Sequence, residues 1–134
     1  MEPVNERKQF SVAARAHSLR YALRGIYLFF KSQHNAWVQL VIAIIVVVAG
    51  FFFAITSMEW IFVIFSIMAV FSAEAFNTAI EIHMNLTSPN PHPHARDTKD
   101  VAAGAVLLTV IGAIIVGFLV FTPYIISFCT YYFQ

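Results

Sequence analysis

The residues best equipped for chemistry are two acids in an apolar setting. Trp60 to Ala73 carries no charge, and the chain then reads Glu74-Ala-Phe-Asn77-Thr78-Ala79-Ile80-Glu81, with Asn85 one turn further on. An acid at the centre of a membrane helix costs about 2.5–3.5 kcal/mol even on lenient insertion scales. At about 100° per residue Glu81 falls about 20° from Glu74, Asn77 and Thr78 flank the same line, and Asn85 returns to it. One helix face therefore carries Glu, Asn/Thr, Glu and Asn over about three turns, running out to the water boundary. Asn and Thr alone would serve helix–helix adhesion. Two carboxylates fit a site open to water, in which one accepts a proton and the other meets a cation, since carboxylates with phosphate oxygens and water are the usual Mg²⁺ shell.

A polar, proline-rich connection from Thr87 onward leads to Lys99-Asp100 and then Val-Ala-Ala-Gly-Ala-Val, whose small residues let helices approach closely. The Lys99 ammonium can neutralise phosphate, and it serves equally well to fix membrane topology. His92 and His94 alternate with prolines and lack a third metal ligand. The chain contains no G-x-x-x-x-G-K-[ST] phosphate cradle, and its single cysteine, Cys129, offers neither an internal disulfide nor a metal cluster. No nucleic-acid partner is expected.

The elements that must position these residues follow from composition. The 134 residues are 60% apolar and 11% charged, against about 25% charged in average soluble domains. Six of the eight Lys and Arg residues lie in the first 31 positions, and Glu59 is the only charge between Ser32 and Ala73. A bilayer core needs about 20 mostly apolar helical residues. Three segments meet or approach that length, giving membrane spans over 37–56, 60–86 and 101–122, the last ending at Pro123. Before them, Val12, Ala16, Leu19, Leu23, Ile26 and Phe30 recur at steps of four and three, with Arg15, Arg20 and Arg24 on the flanks and back. That pattern predicts an amphipathic helix within 1–33, lying at the headgroup level. The expected fold is an all-α membrane protein of one domain, with a surface helix, three transmembrane helices, a cytoplasmic loop over 87–99 and a tail over 123–134. The positive-inside rule puts the N-terminus and that loop in the cytoplasm and the C-terminus outside.

Glu74-Ala-Phe-Asn77-Thr78-Ala79-Ile80-Glu81, followed eighteen residues after Glu81 by Lys99-Asp100, resembles the E-x-x-N-[ST]-A-I-E and K-D patterns of the small prokaryotic diacylglycerol kinase and undecaprenol kinase family. The segment Ser88 to Arg96 looks like the S-P-E-Y-H-P-L-A-K of its undecaprenol kinase branch, and Tyr21 to Ile26 like its Y-A-x-x-G-[IL]. The resemblance covers residues 10 to 122. It implies a bacterial inner-membrane homotrimer, with active sites shared between subunits, that transfers the γ-phosphate of ATP to a lipid alcohol with Mg²⁺. It also implies Glu74 as catalytic base, Glu81 as metal ligand, and nucleotide contacts from Tyr21, Asn77, Glu81, Lys99 and Asp100. Gln33, Asn85 and Asn90 stand where the family commonly has acids; each keeps an acceptor oxygen and loses a charge. By position, Gln33 joins the expected metal and nucleotide ligands, and Asn85 and Asn90 the nucleotide contacts. Arg15, Arg20 and Arg24 are the expected phosphate or headgroup contacts.

The expected activity is phosphorylation of undecaprenol or diacylglycerol. Two other readings use the same residues: a catalytically degenerate subunit that binds nucleotide or lipid, motivated by Gln33, Asn85 and Asn90, and a small oligomeric transporter whose Glu stripe lines an aqueous path.

Overall fold

A computed structural model of the protein describes residues 11–132, which form helices α1 (Val12–Ser32), α2 (His34–Phe52), α3 (Ser57–Thr87) and α4 (Pro93–Tyr132). Residues 1–10 of the expected surface helix and 133–134 of the tail lie outside the described residues. The last three helices are long and apolar enough to cross a membrane. At a rise of about 1.5 Å per residue, the 19 residues of α2 span about 28 Å, close to the hydrocarbon thickness. With 31 and 40 residues, α3 and α4 are longer and project beyond it.

Ser11 caps α1, its hydroxyl accepting from the Ala14 amide at 3.4 Å. The stripe residues Leu19, Leu23 and Ile26 are exposed, uncovered by the other described residues. Between α1 and α2 a single residue, Gln33, is extended (φ −116°, ψ 114°) and makes an elbow. Trp37 braces it by donating its indole N–H to the Phe30 carbonyl at 2.9 Å, satisfying one of the orphan acceptors at the end of α1. Phe29 and Phe30 pack edge-on or tilted against Phe71 of α3, at 6.5 and 6.0 Å between ring centres. The elbow is thereby seated on α3 one turn from Glu74.

At the opposite end, α2 closes on α3 through a helix stop in which the Ile55 amide bonds the Gly50 carbonyl (3.1 Å) and the Ala54 amide bonds that of Phe51 (3.2 Å). This pairing needs a left-handed residue after the cap. Ala54 supplies it at φ 50°. Gly50 is required for space, because a Cβ there would lie 2.8 Å from the Trp60 ring. Thr56 caps α3 with a reciprocal box, and the Glu59 carboxylate accepts from the Thr56 amide and hydroxyl and from the Tyr124 hydroxyl, each at 2.7 Å. Below this clamp Ile55, Val63 and Val120 form a small buried core. α4 packs along α3, while α2 touches α3 more sparingly.

The last helix departs from the sequence expectation at both ends. It begins at Pro93 rather than Val101, shortening the connection expected over 87–99. Proline is suited to a first helical position, where its missing N–H is not needed, and the Arg96 amide closes the turn on the His92 carbonyl at 3.1 Å. It also continues through Pro123 to Tyr132. Proline removes one backbone bond, a loss that the contacts of the residues after it offset. The helix beyond it is held by Tyr124 on Glu59 and by the packing of Phe121, Tyr124 and Phe128 around Phe53.

A left-handed alanine costs about 1–2 kcal/mol that glycine does not. Ala54→Gly is therefore expected to raise stability by up to about 1 kcal/mol, read as a higher unfolding midpoint in detergent; a lower midpoint contradicts this account of the turn.

Candidate active site

The α3 face expected to carry the acids is turned inward. Glu74, Asn77 and Thr78 are 3%, 7% and 4% exposed, the only polar residues so deeply buried among those described. Thr78 returns its hydroxyl to the Glu74 carbonyl at 2.8 Å, which spends its donor inside α3. Among the described residues, no hydrogen bond reaches the Glu74 carboxylate itself.

Seven residues along α3 the environment changes. Glu81 accepts from the Gln33 side-chain amide at 3.0 Å and from that of Asn77 at 3.4 Å. The elbow thus delivers Gln33 to Glu81 across 48 positions of sequence. No cation neutralises Glu81 among the described residues: the ion pairs there are His94 with Asp97 and Arg96 with Asp100, both on α4 and exposed. The Oδ1 of Asn77 is buried without a partner, leaving an acceptor beside the Glu81 carboxylate.

One turn beyond Glu81, Asn85 accepts from the Lys99 ammonium at 2.7 Å, tying α3 to the start of α4. Asn85, Asn90, Lys99 and Asp100 line one open cleft of about 1080 Å³ together with Arg96. Most of the sequence-predicted residues therefore form one line, with Glu74 deepest, then Asn77, Glu81 and Gln33, then the cleft. Tyr21, Arg20 and Arg24 are exposed on α1, and no hydrogen bond joins Tyr21 to α3 among the described residues. Arg15 is likewise an exposed residue of α1. No group of three or more His, Cys, Asp or Glu side chains converges on a metal position among the described residues.

Two participants were not singled out in the sequence. Arg96 enters there only as the end of the Ser88–Arg96 segment, yet it lines the cleft. Gln39 is the only polar residue between Val38 and Ile55, and its Oε1 is buried without a partner. That lone amide in an apolar run was the available signal.

Fold and site together define a multi-pass membrane protein with a buried carboxylate line opening at one end of its bundle. Residues 20–121 match the family model described as prokaryotic diacylglycerol kinase. An undecaprenol kinase of Bacillus subtilis is 35% identical over 106 residues, covering 79% of this chain and 86% of that protein. A diacylglycerol kinase of Synechocystis sp. is 32% identical over 111 residues, covering 82% of this chain and 63% of that protein. The chain belongs to the prokaryotic diacylglycerol kinase family, and it is a lipid kinase.

Proposed function

We propose that the protein transfers the γ-phosphoryl group of ATP to the hydroxyl of a membrane lipid alcohol, undecaprenol or diacylglycerol, in the presence of Mg²⁺. The observation that carries this reading is Glu74, a carboxylate almost wholly buried and without a hydrogen-bond donor from the described residues, one stretch of helix below a polar cluster. A structural acid would be expected to have donors. One kept for proton transfer must leave its oxygens available to the incoming hydroxyl. The resemblance of the Ser88–Arg96 connection to the undecaprenol kinase branch, together with the relative of that name, favours the polyprenol as acceptor.

Phosphoryl transfer depends on alignment and charge neutralisation more than on covalent chemistry. The cleft lined by Asn85, Asn90, Lys99 and Asp100 would receive the nucleotide, and Asn85 leads from it to Glu81. Lys99 gives one N–H to Asn85, leaving two for phosphate oxygens. The oxygen donors fit a hard cation: Glu81 with the unpartnered Asn77 Oδ1, and Gln33 once its amide is turned to present oxygen. Bound there, Mg²⁺ would neutralise charge on the transferring phosphate. Glu74 takes the proton of the lipid hydroxyl as its oxygen bonds the γ-phosphorus and the bond to the ADP oxygen breaks. The lipid tail stays in hydrocarbon throughout.

All six described Lys and Arg residues lie on α1 or at the start of α4, which supports a cytoplasmic position for this end of the bundle and an outside position for the C-terminus. The exposed stripe residues Leu19, Leu23 and Ile26 support α1 lying along the membrane surface, with Arg15, Arg20 and Arg24 toward headgroups. The family resemblance supports a homotrimer with shared sites, in which Tyr21 would meet a neighbour's nucleotide.

Labelled ATP, Mg²⁺ and each lipid supplied to purified protein should yield labelled lipid monophosphate. ATP binding with no transfer to either alcohol would instead mark a degenerate binding subunit. Glu74→Gln should lower turnover by about 10²–10⁴-fold, the usual contribution of a positioned base; full activity would remove Glu74 from that role. Gln33→Glu, by adding a charge beside Glu81, should lower the Mg²⁺ concentration giving half-maximal rate. An unchanged Mg²⁺ dependence would exclude Gln33 from the metal site.

A further inference from the structure

The last turns of α1 and the first turns of α2 enclose an open recess of about 550 Å³, lined by Tyr27, Phe30, Lys31, Trp37 and Leu40. Its aromatic walls are fixed. Trp37 has spent its single N–H on the Phe30 carbonyl at 2.9 Å, and the two rings meet edge-on at 5.6 Å. The indole is thereby held in place with more than half of its surface exposed. The Lys31 ammonium stands 5.9 Å from the centre of the Tyr27 ring, and the ion pairs among the described residues do not include it.

Two observations say what fits there. The first is the direction in which the recess continues. After Trp37, the exposed Val41, Ile44, Val48 and Phe51 follow at steps of four and three, making one apolar strip down α2. Gln39, Ala43, Val46 and Gly50 lie about 180° round the helix from that strip, half-buried or buried, and Gly50 meets Trp60 of α3. The strip is therefore on the side of α2 turned away from the carboxylate line. The second observation is charge. Of the described acids, Glu59 stands at the far end of α3 and Glu74 is buried. Glu81 holds Gln33 and Asn77, and Asp97 and Asp100 pair with His94 and Arg96. The described residues of a second copy thus offer Lys31 no unengaged carboxylate, and its counter-anion must come from another molecule.

We infer that the elbow of α1 and α2 binds one anionic glycerophospholipid of the surrounding leaflet, its phosphate on Lys31 and one acyl chain along the outer strip of α2. The inference rests on the placement of α1 at the membrane surface, and it concerns a lipid that is not phosphorylated. Trp37 lies four residues into α2 from Gln33, about 6 Å below the Gln33–Glu81 contact, where an amphipathic ring suits the glycerol level. Half of a hydrocarbon core of about 30 Å ends near Ile44, so a single chain lies on Trp37, Leu40, Val41 and Ile44. The charge of the headgroup selects among phospholipids. A choline head brings its own cation beside the Lys31 ammonium, whereas a glycerol head brings only the phosphate.

Trp37 reports on its own neighbour. The chain has two tryptophans, and Trp60→Phe leaves Trp37 alone while keeping a ring against Gly50. The full chain carrying Trp60→Phe is reconstituted in phosphatidylcholine vesicles containing a rising fraction of phosphatidylglycerol or of phosphatidylcholine brominated on the upper acyl chain, and quenching of Trp37 is measured. Brominated phosphatidylglycerol should quench about fivefold more effectively than brominated phosphatidylcholine at equal mole fraction, the preference one lysine near the surface gives. Lys31→Gln should abolish that preference and Lys31→Arg should keep it. Equal quenching by the two lipids, or a preference that survives Lys31→Gln, would overturn the site while leaving α1 at the membrane. Loss of the preference on adding inorganic phosphate would assign Lys31 to a free anion, and relief of quenching by undecaprenol would assign the strip to the acceptor; either overturns the inference. Quenching by neither lipid would show Trp37 covered by another copy or outside the bilayer, and would bring down the surface placement of α1 as well.

Discussion

The structure turns on an unfavourable burial. Glu74 is held inside an apolar helix pair with almost no exposure and no hydrogen bond to its carboxylate among the described residues. Burying a polar group costs most when it is left unpaired. The same helix shows how the chain treats an acid kept for structure. Glu59, at the other end of α3, accepts three hydrogen bonds, each at 2.7 Å, and ties α3 both to the preceding turn and to α4. One helix thus carries a carboxylate oxygen that accepts three donors and a carboxylate that accepts none among the described residues.

That contrast divides the molecule by end. At the Glu59 end the chain is closed by a left-handed turn, a glycine that admits the Trp60 ring, a capping box and a compact aromatic cluster. At the Glu81 end the contacts are fewer and the polar atoms less satisfied. The Gln33 elbow, braced by Trp37 and seated by Phe29 and Phe30 on Phe71, brings an amide to Glu81 but leaves acceptors on Asn77 and Gln39 without partners. The closed end holds the helices together, while the other end presents unsatisfied groups.

Much of this was legible in the sequence. The inward stripe of α3 follows from the spacing of Glu74, Asn77 and Glu81, with Asn85 at its exposed end, and the three long apolar helices follow from run length. The meeting of Gln33 and Glu81 did not follow from periodicity, because it depends on a one-residue break whose angle is set by Trp37 and Phe30, far from either partner in chemistry. Pro123 misled because Tyr124 and Phe128 hold the helix past it through Glu59 and Phe53, partners far away in sequence. The Glu59–Tyr124 bond spans 65 positions and has no local signature. Gln39 was visible as a lone amide in an apolar run, but that its oxygen is buried without a partner needed the packing of α2.

The central claim is that Glu74 is retained for proton transfer at the expense of folding stability. The most direct measurement is the unfolding equilibrium of Glu74→Gln against wild type in the same bilayer or micelle, where the substitution keeps shape and removes only the ionisable group. The account predicts a variant at least as stable as the parent. A clear loss of stability in Glu74→Gln would mean that the carboxylate holds the bundle together, and would contradict it.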